Sequence, residues 1–323
     1  MSDLLKNIDA RTKLAGTNKL EILLFTLGLD ERSGRRENFG INVFKVREVM
    51  RTPEITQAPD MPPAVEGMVS LRGILIPVID LAKYVGVQTT TKPEIMIVSE
   101  YNGHTQGFLV EAVDTILRLD WSQMRVPPEM LANTLRGLVT AVTELENNKL
   151  VMMLDVEKVL AETNEADDSH EFRAIQPQAD LIGKTVFFAD DSAVARKQIE
   201  RTLDALKINY EFAINGKKAW EALQKIAVYA ETQGKAVKDL VHMILTDVEM
   251  PEMDGYMLTK QVKSDPRFAG IPVLMHSSLS GMSNQKLGQS VGVDAYVAKF
   301  EPQKLTDAVA TMLRGNYDAP SHR

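Results

Sequence analysis

Asp247 closes the apolar run Met243-Ile244-Leu245-Thr246 and is followed by Pro251 and Gly255, so a short buried strand delivers a carboxylate to its carboxyl end. In open α/β sheets, ligands bind outside that end. Taken alone, an Asp at such a place is more often a turn residue. Two further runs shift the balance. Val186-Phe187-Phe188-Ala189 ends in the adjacent acids Asp190 and Asp191, and Ala295-Tyr296-Val297-Ala298 ends in Lys299. If the three strands are parallel neighbours, three carboxylates and one ammonium meet at one sheet edge. Carboxylates so close cannot all stay ionised cheaply without a cation, and oxygen-only ligands with room for water suit Mg2+. A cation beside Asp247 keeps it ionised as a nucleophile able to form an acyl phosphate. Lys299 offers phosphoryl oxygens a compact charge, and Ser277, after Ile271–His276, adds a hydroxyl at the same edge.

In order and type these residues resemble the receiver domains of bacterial two-component signalling, over about Gly183–Arg314. The motif Asp247-x-x-Met250-Pro251-x-Met253-Asp254-Gly255 is its most specific stretch. The resemblance implies Asp247 as phosphoacceptor. It also implies Mg2+ held by Asp190, Asp191 and Asp247, with the Glu249 carbonyl completing the shell. Lys299 becomes the phosphate partner, Ser277 the switch hydroxyl and Tyr296 the switch aromatic. One departure is visible. The family usually has Pro directly after the Lys, whereas Phe300 and Glu301 precede Pro302 here, which leaves the shape and cis/trans state of that loop open.

The elements that must position this set alternate. Strands are expected over 185–189, 210–214, 241–246, 271–276 and 295–298. Helices are expected over 192–207, 217–230, 254–264, 282–291 and 302–314, with a turn at Asn215-Gly216 and a polar insertion at Glu231–Asp239. Five βα units make a doubly wound, flavodoxin-like sheet.

The first half has a different texture. Strands are expected over 21–28, 39–44, 67–71 and 74–78, the last two around Arg72-Gly73. Lys45–Met50 extends the second strand or forms a short helix. A hairpin over 95–99 and 106–110 turns at Asn102-Gly103, a pair suited to type I′, and a later hairpin over 137–145 and 150–154 precedes a short helix at 156–160. Pro53, Pro59, Pro62 and Pro63 exclude a central strand between them. Short strands at regular spacing read as a β-barrel or paired barrels. Chemistry is sparse: His104 reads as a solvated turn residue with no second ligand at metal-binding spacing, and no nucleophilic triad or Gly-rich phosphate loop is present. This half reads as a binding module.

Gly67–Leu81, with its Leu71-Arg72-Gly73 and Pro77-Val78-Ile79-Asp80-Leu81 segments, resembles the CheW family of chemotaxis coupling proteins, and the likeness spans about Asn18–Glu162. It implies two small SH3-like five-stranded barrels that couple receptors to a histidine kinase, with Arg72 as an exposed contact and Val46 and Glu48 in the interaction region. A CheW-like half followed by a receiver is similar to the CheV type of chemotaxis protein. The expected organisation is a tail at 1–17, a coupling domain at 18–162, a linker at 163–182 in which Phe172 and Ile175 could dock on a neighbour, a receiver at 183–315 and a tail at 316–323.

Composition agrees with this reading and excludes others. A hydrophobic content of 44% with 25% charged residues is that of ordinary globular protein, and the absence of Cys rules out disulfide frameworks and thiolate metal sites. The net charge of −7 falls entirely before residue 169, so neither half is basic and nucleic-acid binding is disfavoured. No apolar run approaches the roughly 20 residues that span a bilayer, and direct membrane insertion is not expected. The expectation is therefore a phosphorylation-regulated adaptor in the cytoplasm beside receptor arrays. Its expected partners are a chemoreceptor cytoplasmic domain and a CheA-type histidine kinase. The receiver would modulate coupling or drain phosphate, and would act on nothing beyond its own phosphorylation. The rivals are a DNA-binding regulator, which needs a helix-turn-helix that the few residues after Arg314 do not supply; an aspartyl-phosphate phosphatase, whose second acid Glu249 fits weakly; and a constitutive scaffold with an idle receiver.

Overall fold

The computed structural model describes residues 19–57, 60–101, 104–128, 135–145, 148–163, 175–277, 288, 290–299 and 301–315. The chain divides into two units whose main bodies are Leu20–Glu165 and Ala166–Arg323.

In the first unit, ten strands among the described residues form two five-stranded sheets: β1 (Lys19–Thr26), β2 (Asn38–Asn42), β3 (Val46–Arg51), β4 (Val65–Leu71), β5 (Ile74–Asp80), β6 (Ile95–Tyr101), β7 (His104–Val110), β8 (Ala112–Asp120), β9 (Val139–Glu144) and β10 (Leu150–Leu154). The sheet orders are β8-β1-β2-β10-β9 and β3-β6-β7-β5-β4. Hairpin neighbours pair antiparallel, but β10 joins β2 and β5 joins β7 in parallel, so each sheet is completed by a pairing between strands distant in sequence. Leu23, Phe25, Phe39 and Ile41 of one sheet share a core with Ile79, Ile97 and Phe108 of the other. Separate apolar clusters fill the opposite faces, around Ile22, Leu24, Trp121 and Met124 in one sheet and around Val78, Met96, Val98 and Leu109 in the other. Burial on both faces explains why β1 reads as a nearly continuous apolar run rather than an alternation.

Four local features depart from the sequence expectation. β8 was not anticipated because it is an edge strand that leaves most of its residues partly or fully exposed, so it lacks an apolar period. α1 (Leu81–Val85) is a single short turn, started by Asp80, whose side chain accepts the Lys83 N–H at 3.1 Å. Val43–Lys45 forms a 3-10 turn before β3, and His104 opens a strand rather than sitting in the turn. The Asn102-Gly103 turn lies outside the described residues. α2 (Val156–Thr163) closes the unit, with Glu157 buried against Lys45 at 2.9 Å.

The second unit follows the expected alternation: β11 (Thr185–Ala189), α3 (Ala193–Leu206), β12 (Asn209–Ala213), α4 (Gly216–Thr232), β13 (Met243–Thr246), α5 (Gly255–Ser264), β14 (Val273–Ser277), β15 (Ala295–Ala298) and α6 (Pro302–Leu313). All five strands are parallel, in the order β12-β11-β13-β14-β15. Ile199, Leu203 and Leu206 of α3 and Leu305, Val309 and Met312 of α6 cover one face. Ala219, Leu223 and Ala227 of α4 and Leu258 and Val262 of α5 cover the other. The helix expected over 282–291 falls almost wholly outside the described residues.

Asn215-Gly216 is a helix start rather than a free turn: the Asn215 side chain accepts the Lys218 N–H at 2.7 Å, and Gly216 is the first residue of α4. The polar insertion is the end of α4 followed by a 3-10 turn at Val237–Asp239. Ahead of β11, Ile175 and Leu181 are buried in the α3–α6 core, and Arg314 binds Asp180 and Gln178 from the end of α6. Among the described residues, no helix is long and apolar enough to cross a membrane.

Candidate functional site

Register decides what meets at the sheet edge. Ala189 of β11 pairs with Thr246 of β13, so the next residues, Asp190 and Asp247, leave neighbouring strands side by side. Ser277 pairs with Ala298, which brings Lys299 to the same edge from the next strand pair. The backbone fixes these exits: Asp247 N–H donates to Ala189 O at 2.8 Å, and Lys299 N–H to Ser277 O at 3.0 Å.

The side chains converge as the sequence predicts. Lys299 Nζ lies 3.0 Å from Asp190 Oδ2 and 3.0 Å from Asp247 Oδ2, and all three residues are buried. Asp247 Oδ1 accepts the Val248 N–H at 2.7 Å, and Asp190 Oδ1 accepts the Ser192 N–H at 2.9 Å. These bonds fix the direction in which each carboxylate points. Asp191 is half-exposed and supplies the third acid. Ligand oxygens of Asp190, Asp191 and Asp247 lie within 4.8 Å of one another, so the trio can hold a divalent cation. An all-oxygen donor set of this charge suits a hard cation and not a thiolate- or imidazole-seeking one.

Around this centre, Ser277 and Glu249 are buried and Tyr296 is half-buried. Burial pushes the Tyr296 phenol well above its ordinary range; a hydrogen bond with Ser277 opposes this, and the negative charges of Asp247 and Glu249 reinforce it. Tyr296 is thus neutral and in contact with the hydroxyl expected to move with it. Tyr256, on the first turn of α5, is also buried and its phenol is likewise pushed up, first by burial and then by Tyr296, Asp254, Glu249 and Asp247. Past Lys299, Pro302 opens α6, with no cis peptide bond among the described residues.

Sequence reasoning named Gly255 only as a breaker within the motif, and it missed Arg196. Gly255 has no room for a side chain: a Cβ would lie 1.9 Å from the Asp247 carbonyl oxygen. The signal was its place after Asp254, the cap of α5. Arg196, one turn into α3, binds the carbonyl oxygens of Asp190 and Asp191 at 2.9 and 2.8 Å. Its only sequence signal was its position one helical turn after the acid pair.

In the first unit, Arg72 sits at the exposed tip of the β4–β5 hairpin with φ 53°, beside Gly73 with φ 83°. Two positive φ values in a two-residue loop are those of a type I′ turn. Arg72 pairs with Glu48 at 3.0 Å, and Ile74 and Leu75 beside it are exposed. Val46 is not part of this surface. The ladder slips between Val46, opposite Ser99, and Glu48, opposite Val98, so a bulge at Arg47 turns the two residues to opposite faces. Val46 is buried in the shared core.

Residues 21–164 match the CheW-like domain family, and residues 186–310 match the response regulator receiver domain family. The chain is similar to the chemotaxis protein CheV3 of Helicobacter pylori, 30% identical over 304 residues that cover 93% of this chain and 96% of that one. Its first half is similar to the chemotaxis protein CheW of Klebsiella aerogenes, 30% identical over 46% of this chain and 87% of that one. Its second half is similar to the chemotaxis protein CheY1 of Helicobacter pylori, 33% identical over 39% of this chain and 94% of that one.

Proposed function

The chain belongs to the CheV family of chemotaxis proteins, adaptors that link chemoreceptor signalling to a phosphorelay through a receiver domain, and we propose that Asp247 is the residue phosphorylated. The chemistry of the receiver half is its own phosphorylation and dephosphorylation. The observation that carries the assignment is Lys299 Nζ at 3.0 Å from both Asp190 and Asp247 beside a third acid.

Asp190, Asp191 and Asp247, with the Glu249 carbonyl, would hold Mg2+. The ion supplies charge neutralisation for phosphoryl oxygens approaching three carboxylates. An Asp247 carboxylate oxygen forms the new P–O bond as the donor's bond to phosphorus breaks and its electron pair leaves with the donor. The Lys299 ammonium shifts from Asp247 to a phosphoryl oxygen, retaining Asp190. Ser277 donates its hydroxyl to another phosphoryl oxygen, and Tyr296, hydrogen-bonded to it, moves with it. Burial makes each of these pairings stronger than it would be in water.

In the first half, each five-stranded sheet, with a core of its own, closes as a small barrel. Arg72 and Glu48, with Ile74 and Leu75 exposed beside them, would form the surface for a chemoreceptor cytoplasmic domain or a CheA-type kinase, and the protein would then work in the cytoplasm at receptor arrays. Phosphorylation then modulates the coupling.

Labelling tests the assignment. Wild type incubated with a small phosphodonor and Mg2+ should take up phosphoryl; Asp247→Asn, or wild type with EDTA, should not. Equal labelling of Asp247→Asn would refute it. Pull-down of receptor and kinase with and without phosphodonor tests the coupling role.

A further inference from the structure

The Asp190 and Asp191 carbonyls stand at the point where the chain leaves β11 and turns into α3. A carbonyl leaving a ladder and buried needs another donor. Both find the same one: Arg196 Nη1 donates to Asp190 O at 2.9 Å and to Asp191 O at 2.8 Å. Local structure explains the reach. Ser192 caps α3, and the Arg196 backbone N–H closes the first turn onto Ser192 O at 3.0 Å. Side chains in a first turn lean back toward the helix start, which delivers the guanidinium to the acid pair. A cation at that place is opposed by the helix dipole, so helix stability does not account for it.

We propose that Arg196 is a positioning residue for the phosphorylation site, fixing the two peptide planes that aim the Asp190 and Asp191 carboxylates at the cation. The inference rests on the reading of these acids as cation ligands. One guanidinium nitrogen on two successive carbonyls sets the directions of both Cα–Cβ bonds. The Ser192 N–H on Asp190 Oδ1 at 2.9 Å fixes that carboxylate further. Two roles for Arg196 predict opposite signs. As a bare positive charge it repels a divalent cation, and its removal tightens binding. As a positioning group its removal weakens binding, typically about 10- to 100-fold for a residue that orients metal ligands.

The experiment is calorimetric titration of the full chain with Mg2+ alone. Arg196→Met, which keeps an apolar stem and removes every donor, should bind Mg2+ at least about tenfold more weakly than wild type. Arg196→Lys should recover part of that loss. Without Mg2+, amide exchange at Ser192 should quicken in Arg196→Met, while exchange at the far end of β11 stays as in wild type. Should Arg196→Met not fold, Arg196→Ala is read in the same way, and Arg196→Lys must still bind more weakly than wild type. Binding as tight as wild type or tighter, in a folded variant, overturns the inference alone. No Mg2+ binding by wild type overturns the ligand reading and the inference with it.

Discussion

Arg72 and Glu48 share one ion pair, Nη2 to Oε2 at 3.0 Å, although they are 24 residues apart, with Glu48 on β3 and Arg72 in the turn after β4 at the other end of the sheet order. Such an exposed pair contributes about 0–1 kcal/mol, so reversing either charge should leave the fold intact. Arg72→Glu should abolish association with a receptor–kinase assembly while circular dichroism and melting stay near wild type. The double variant Arg72→Glu with Glu48→Arg restores the pair but moves the guanidinium to the less exposed position. On the proposed contact, association should not return, because the partner would read the exposed arginine. Full recovery in the double variant would show that the pair only braces the hairpin.

Gly255→Ala should disable the receiver without touching any charged group. The added Cβ would sit 1.9 Å from the Asp247 carbonyl oxygen and 3.1 Å from Thr246 Oγ1, so backbone must move. A displacement of about 1 Å at a reacting group can cost about 100-fold in rate. Phosphoryl uptake from a small donor should fall by about that factor, and the melting temperature should drop as well. Unchanged uptake would mean that the loop relaxes without disturbing Asp247.

The receiver should lose stability in mild acid through His242. Thr185 N–H donates to His242 Nδ1 at 3.0 Å while His242 N–H donates to Thr185 O at 2.8 Å, which ties the start of β13 to β11. Desolvation first, then the charge of Lys184, holds the imidazole below its ordinary value against a smaller opposing pull from Asp239. The folded pKa is therefore below the unfolded one, near 6.5. This contribution is complete above that pH and is lost as pH falls through the folded value. Urea midpoints measured from pH 8 to 5 should decline more steeply in wild type than in His242→Gln. Parallel slopes would exclude His242 as a cause.

The receiver edge was legible because each strand carries its reactive residue directly after its apolar run, and parallel register then aligns the ends, as Ala189 against Thr246 does for Asp190 and Asp247. Period and punctuation suffice for that. They do not suffice where a single residue breaks the period. The bulge at Arg47 sends Val46 inward and Glu48 outward, although a regular strand would put both on one face. The Arg72–Glu48 pair depends on the strand order β3-β6-β7-β5-β4, which no local pattern encodes. Arg196 escaped notice because its partners are backbone carbonyls, to which residue type gives no clue.

The last part of the expected linker packs on the receiver, and this sets the last prediction. Ile175 and Leu181 are buried with Leu305, Val309 and Met312 of α6, and Arg314 holds Asp180 at 2.6 Å and also binds Gln178. The other end of α6 begins three residues after Lys299, whose ammonium is shared by Asp190 and Asp247. On the proposed assignment, phosphorylation turns the Asp247 carboxylate into an acyl phosphate carrying roughly −1.5 to −2 charge, which should draw Lys299 toward the phosphoryl group and pull on the start of α6 while Tyr296 follows Ser277. A packing change of that kind is two-state rather than graded. Residues 175–182, strapped to the far end of α6, should then change hydrogen-exchange protection when beryllofluoride and Mg2+ occupy the site. Arg314→Ala should raise exchange at 178–182 in the unmodified protein. It should also reduce the effect of phosphorylation on receptor–kinase association, while phosphoryl uptake stays as in wild type. If protection changes only around Asp190, Asp247 and Lys299, and Arg314→Ala couples normally, α6 does not carry the signal, and the receiver acts by draining phosphate from its donor.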